Sequence, residues 1–225
     1  MFLAIRLSPT APLSANRQSR PNSRQEMPAP LERREGSPLA RKTKNGSTVL
    51  VLRLEGVPTV LGDMLVVTDE HGVLRALDWL NFEDRMHRLL RLHYGAGGFR
   101  LVKTSDQSAA RQTLERYFAG DVGAIDGIPV ETRGTPFQRD VWSALRKIPA
   151  GKTTSYGLLA TTIDRPKAIR AVGMANGSNP IGIVVPCHRV IGKDSSLTGY
   201  GGGLERKRWL LEHEGVLLPT QPAAL

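Results

Sequence analysis

An α/β first domain followed by a mainly helical second domain is the fold class predicted, the second carrying a helix-turn-helix and a short active-site strand that ends at a single cysteine. Three observations predict it. Between Thr48 and Leu77 the apolar residues follow strand-like patterns, and beyond Asn81 they take up a helical period. A stretch over 119–133 with Gly120, Gly123, Gly127 and Pro129 has no clear period and reads as a connector. After it, short helices bounded by cap residues fill the chain as far as Asn179-Pro180. The predicted organisation is a disordered basic extension over 1–45, an α/β domain with its connector over 46–133 and a helical domain over 134–225.

In chain order, Thr48–Leu54 reads as a strand and Gly62–Thr68 as a second. Glu70-His71-Gly72 forms a turn into a third at Val73–Leu77, and the three make a small antiparallel meander. Asn81–Tyr94 places Phe82, Met86, Leu89 and Leu90 at helical spacing, and Gln107–Phe118 does the same with Leu114, Tyr117 and Phe118. In the second domain Thr135 is an N-cap, Pro136 occupies the first helical position and Gln138 completes a capping box. That helix presents Phe137, Val141, Trp142 and Leu145 on one stripe until Pro149-Ala150-Gly151 ends it. A second helix runs Tyr156–Ile163 behind Ser155, and a third runs Lys167–Asn176 after Arg165-Pro166. Two short helices across a tight turn match a helix-turn-helix, whose second helix would set Lys167 and Arg170 against DNA; a plain pair of packed helices fits the same spacing.

Composition narrows the function classes. No apolar run approaches the roughly 18–20 residues of a membrane helix. The net charge is +10, and it is unevenly spread. Basic residues outnumber acidic ones nine to three over 1–45 and twelve to six over 134–225, while the middle has ten against twelve. The basic excess of the second domain favours an anionic partner, though such an excess also serves solubility. One cysteine in the chain excludes an intramolecular disulfide and any cysteine cluster for zinc, and fits a reducing, intracellular setting. The Arg-, Ser- and Pro-rich first 45 residues share their composition with transit peptides, and Met27 offers an alternative start.

The chemistry centres on the cysteine. Ile181–Val185 reads as a buried strand that Pro186 stops, delivering Cys187, His188 and Arg189 at its end. A free thiol titrates at about 8.5 and must become a thiolate to attack. His188 can act as base, directly or through a water, with Glu214 as a third member that orients the imidazole. Neighbours on an extended strand point opposite ways, so a bridging water or a turn is expected. A small buried hydrophobe is the bland alternative for Cys187. A zinc deaminase is rejected because its Pro-Cys-x-x-Cys signature needs a second cysteine where position 190 is Val. The loop Gly199-Tyr200-Gly201-Gly202-Gly203 offers backbone amides to a departing base, or is simply a flexible turn.

Residues 170–215, with Arg-Ala-Val-Gly-Met-Ala-Asn-Gly, Pro-Cys-His-Arg-Val-Ile and Thr-Gly-Tyr-Gly-Gly-Gly, resemble the core of the 6-O-alkylguanine-DNA alkyltransferases, and the bacterial constitutive members above all. The likeness extends through Gly134-Thr135-Pro136-Phe137-Gln138 and, more weakly, across 48–120. It implies a ribonuclease-H-like first domain and a winged-helix-like second one. It also implies single-use transfer of an alkyl group from 6-O-alkylguanine, and from 4-O-alkylthymine, in duplex DNA to Cys187 after base flipping. His188 and Glu214 then match a water-mediated relay that Asn179 helps to hold, and Lys207 matches a lysine near the pocket. Arg170 matches the arginine that fills the gap in the stack, and Tyr156 the tyrosine that crowds the 3′ phosphate and helps protonate the leaving base. Lys167, Ala171 and Gly173 fall on the DNA side, and Val185, Pro186, Leu197, Tyr200 and Gly201 on the substrate pocket. No metal and no cofactor are implied, since the alkyl donor is the substrate, and a cytoplasmic monomer without membrane association is expected.

The chain departs from the family pattern at Arg165, where some relatives have Asn, and at Gly201, where some have Ser. A smaller residue at 201 is expected to widen access for bulky alkyl groups. Two other readings stay open on the sequence: a DNA-binding sensor of alkylated bases that transfers nothing, and a thiol hydrolase built on Cys187 and His188.

Overall fold

Four strands form one mixed sheet in the order β3-β2-β1-β4, with β1 at Leu50–Val57, β2 at Met64–Thr68, β3 at Leu74–Trp79 and β4 at Phe99–Lys103. The computed structural model describes residues 49–218. The extension over 1–45 and Thr48, the first residue of the first expected strand, lie outside the described residues. β1 pairs antiparallel with β2, and β2 with β3, which is the expected meander. β4 adds a strand the patterning did not show, parallel to β1 with Leu52 opposite Leu101.

The sheet is covered on both faces, and this explains why β2 and β3 are buried along their whole length. Along β2 the side chains alternate: Met64 and Val66 enter the larger apolar cluster, Leu65 and Val67 the smaller. Helix α1 (Glu83–Tyr94) closes the smaller side with Met86 and Leu90. It begins after a 3-10 turn at Leu80–Phe82, two residues later than its periodicity suggests. Helix α2 (Ala109–Phe118), capped by the Ser108 hydroxyl that accepts from Arg111 N, lies on the other side with Ala110, Leu114 and Tyr117. The same larger cluster continues into Val141, Trp142, Leu145, Val172 and Leu210 from the second half of the chain.

That half is helical. α3 (Pro136–Leu145) starts with the expected capping box: Thr135 Oγ1 accepts from Gln138 N at 3.2 Å and Gln138 Oε1 accepts from Thr135 N at 2.9 Å. Its Trp142 indole donates to Ala175 O at 2.8 Å, tying α3 to α5 (Ile169–Gly177). α4 (Tyr156–Thr162) follows a two-residue strand β5 (Thr154–Ser155) and is capped by Ser155. A tight turn with Asp164 at φ 57° leads from α4 into α5. α5 starts two residues after Lys167, which therefore belongs to the turn. A second short strand β6 (Val190–Ile191) pairs parallel with β5, and α6 (Leu204–His213) closes the described chain. No described helix is long and apolar enough to cross a membrane.

Candidate active site

The strand expected at Ile181–Val185 is not formed. Ile181 makes one parallel bridge to Leu77, through Leu77 N donating to Pro180 O at 2.9 Å and Gly182 N donating to Leu77 O at 3.0 Å. The chain then turns, with Ile183 at φ 64° and Val185 N donating to Ile181 O at 3.0 Å. A positive φ at a β-branched residue costs on the order of 1–3 kcal/mol and needs surroundings that enforce it. Asn179 does so: its Oδ1 accepts from Ile181 N at 3.0 Å, and its Nδ2 donates to Val185 O at 2.7 Å. A side-chain amide competing for backbone groups has overridden the strand propensity of a branched run. Cys187 therefore opens a 3-10 turn, Cys187–Arg189, and the short strand β6 follows the cysteine instead of leading to it. In such a turn successive side chains step around an axis and do not alternate between two faces.

Behind the cysteine lies a buried polar network. His188, Arg189 and Glu214 are exposed by 0%, 1% and 6%. Glu214 Oε1 accepts from Tyr117 Oη at 2.8 Å and Arg189 Nη2 at 2.8 Å and lies 3.0 Å from His188 Nε2, while Oε2 accepts from Arg189 Nε at 2.8 Å. Arg189 Nη1 donates to Ile148 O at 2.6 Å. Burial pushes the Glu214 carboxyl up, but the hydrogen bonds from His188 and Arg189 outweigh it and hold the group at about 2. Burial pulls His188 down, against the attraction of Glu214. The ring is therefore neutral, and Arg189 supplies the charge that balances the carboxylate. With Nε2 donating to Glu214, the lone pair sits on Nδ1, which is buried with no protein partner. That is the protonation state a base requires.

Cys187 is itself buried, at 8% exposure. Burial raises its thiol, while Asn179, Lys207 and Arg85 pull the other way. Lys207 is fully buried, and its ammonium donates at 2.6 Å both to Val190 O and to Thr198 O, tying β6 to the glycine loop. Burial lowers its pKa to about 8, partly countered by Cys187. Tyr200 is held protonated, chiefly by burial and next by the neighbouring sulfur, so its hydroxyl remains a donor.

Cys187, Asn179, Tyr200 and Gly201 line one pocket, together with Asp78, Trp79, Arg85 and Asn176. Three residues expected on its wall are elsewhere. Val185 packs in the large apolar cluster, Pro186 is buried and Leu197 is half-buried, and none of the three is in the lining. Lys207 lies beneath the loop and is not part of the lining. Gly202 permits a close approach: a Cβ there would sit 2.5 Å from the Trp79 indole nitrogen and 2.7 Å from the Tyr200 ring. Arg170 and Ala171 are exposed at the start of α5, and Lys167 is exposed just before it. A Cβ on Gly173 would lie 3.9 Å from the Tyr156 ring, and one on Gly199 3.8 Å from its hydroxyl, so Tyr156 stands between α5 and the glycine loop. Sequence reasoning missed Arg189, Tyr117 and Arg85. A charged residue directly after Cys-His was the one local signal for Arg189, whereas Tyr117 and Arg85 meet the site only through the fold.

The profile of the 6-O-methylguanine DNA methyltransferase DNA-binding domain matches residues 136–216. A methylated-DNA–protein-cysteine methyltransferase of Salmonella typhimurium is 52% identical over 170 residues, 75% of this chain and 99% of the relative. One from Mycobacterium bovis is 57% identical over 113 residues, 50% of this chain and 68% of the relative. Among solved structures, the Mycobacterium tuberculosis OGT in complex with DNA superposes with a TM-score of 0.58 at 40% identity, covering 72% of this chain and 92% of that one.

Proposed function

Since the chain belongs to the methylated-DNA–protein-cysteine methyltransferase family, we propose that it repairs DNA directly, moving the alkyl group of 6-O-alkylguanine in duplex DNA onto Cys187. The observation that carries this reading is a buried sulfur lining a pocket, backed by a neutral His188 whose proton-free nitrogen has no protein partner. The thiol proton passes to His188 Nδ1, directly or through a water, and the Glu214 carboxylate, held in place by Arg189, stabilises the imidazolium. Sulfur attacks the alkyl carbon, the carbon–O6 bond breaks, and the electron pair leaves with the base. The protonated Tyr200 hydroxyl and the loop amides receive that charge, and Tyr156 supplies a proton. A thioether has no easy leaving path, so each molecule acts once. The same displacement applies to 4-O-alkylthymine. No cofactor enters, and the protein acts as a monomer in the cytoplasm, with duplex DNA as partner. A sensor that binds without transfer has no use for the cysteine.

Mass spectrometry of the protein after incubation with a duplex containing 6-O-methylguanine tests the reading. One methyl group on the peptide holding Cys187 is the expected product; an unlabelled protein beside a persisting lesion refutes it.

The target carbon is inside the stack, so the base must be flipped out at a cost of a few kcal/mol, and Arg170 fills the gap. Arg170→Ala should slow repair of duplex roughly tenfold or more while leaving the reaction with free 6-O-methylguanine near the parent rate. Equal losses on the two substrates contradict the role. Binding to unmodified duplex should also weaken steadily with salt, as phosphate contacts release counterions.

A further inference from the structure

The sequence expectation that Gly201 widens the pocket meets an obstacle in Arg85. This arginine comes from α1, in the α/β half of the chain, and its side chain is about four-fifths buried. Asp78 of β3, itself buried, holds the guanidinium in a fork: Oδ2 accepts from Nε at 2.9 Å, and Oδ1 accepts from Nη2. Oδ1 also accepts from Trp79 N at 2.8 Å, which fixes the carboxylate in turn. The Phe82 ring lies under the guanidinium, 4.7 Å from its carbon to the ring centroid. Nη1 is left free of these partners and stands over Gly201. A Cβ at position 201 would overlap Nη1 and lie 2.7 Å from the guanidinium carbon. The space a serine would take is filled from the other half of the molecule.

The cavity beside Cys187 measures about 20 Å³, room for about one water molecule. The sulfur's immediate surroundings are therefore tight, and displacing a wall side chain would enlarge the space for an alkyl group. Most of the wall is fixed: Trp79 and Leu77 lie in the sheet core, Asn179 is held by its backbone bonds, and Asn176 is buried in α5. The Arg85 side chain, with a long flexible stem, one charged anchor and an aromatic ring beneath it, is a part of the lining that can be displaced without moving backbone.

We propose that Arg85, latched by Asp78, is the gate that sets the size of alkyl group the Cys187 pocket accepts. With the latch closed the wall behind Gly201 leaves room for a methyl-sized group, and a bulky alkyl group requires the guanidinium to swing away from Asp78. This inference rests on Cys187 being the alkyl acceptor.

Single-turnover rates of the full chain with the free bases 6-O-methylguanine and 6-O-benzylguanine test it, with alkylation of Cys187 followed by mass. The readout is the ratio of benzyl to methyl rate, since loss of a positive charge near the sulfur slows both alike. In the double variant Asp78→Asn/Arg85→Ala no buried carboxylate is left unpaired, and the ratio should rise roughly tenfold or more, the scale at which pocket shape discriminates. Asp78→Asn/Arg85→Met refills much of the space but has no latch, and should raise the ratio less than the alanine double does. Arg85→Lys leaves Asp78 a counter-charge if the doubles fold poorly, and should shift the ratio the same way as the alanine double. An unchanged or lowered ratio in Arg85→Lys and in the folded alanine double overturns the gate. Wild-type protein alkylated by neither base nor methylated duplex would instead strike at the transfer reaction itself.

Discussion

Cys187→Ala protein takes up no methyl group from a methylated duplex, at any time or excess, while it still folds and still binds DNA. The loss is complete because the chain has one cysteine and no other side chain at the pocket can accept an alkyl carbon so readily. The fold survives because the substitution removes one atom from a site already 8% exposed, at a cost of about 1 kcal/mol. DNA binding survives because Arg170, at the start of α5, and Lys167, in the turn before it, are exposed and do not line the pocket of Cys187. Intact mass and a gel-shift titration on the same preparation check both halves. Methylation anywhere in the variant would remove Cys187 from the reaction.

The second large effect is expected at Glu214. Glu214→Gln leaves the buried Arg189 without its counter-charge and presents an amide donor where Tyr117, His188 and Arg189 all donate. Removing one member of a buried ion pair costs about 3–5 kcal/mol, a large share of the roughly 5–15 kcal/mol that holds a domain folded. The pH dependence gives an independent check. The carboxyl is held at about 2 in the folded protein against an ordinary 4.5, so the unfolded chain binds the proton more readily. Its stabilising contribution is fully present above about 4.5 and is lost as pH falls towards 2, on the order of 3 kcal/mol in all. Denaturant titrations between pH 2 and 6 should show this acid slope in the wild type and a flatter one in Glu214→Gln. Parallel slopes would remove Glu214 as the group responsible. Transfer should slow as well, because His188 loses the group that fixes its tautomer.

What was legible in the sequence was local. The Thr135-Pro136-Phe137-Gln138 capping box needs only four consecutive residues to declare a helix start, and α3 begins as written. His188 could be proposed because it stands next to Cys187, whereas Glu214, 26 residues beyond His188, entered as a third member that could orient the imidazole and through the family resemblance. The misread elements are those settled at a distance. Ile181–Val185 has strand composition, yet it becomes a turn because Asn179 takes its backbone groups and because one carbonyl, that of Leu77, receives its only sheet-like bond. β4 was missed because Phe99–Lys103 is short and half-exposed, and its parallel pairing with β1 is created only when α1 folds back. Arg85 looks like one more surface arginine on an amphipathic helix; its proximity to Gly201 exists only in three dimensions.

The bonds between Leu77 and the Pro180–Gly182 backbone, with the Tyr117 hydroxyl on Glu214, give the sheet half a share in the chemistry. The nucleophile's turn hangs from the rim of β3, and its relay is steadied by α2. Grafting the helix-turn-helix and Pro-Cys-His-Arg module onto a foreign scaffold would therefore carry the reactive atom along but abandon its moorings. The half that bears the cysteine, cut loose from its N-terminal companion, is expected to transfer alkyl groups more slowly than the whole chain.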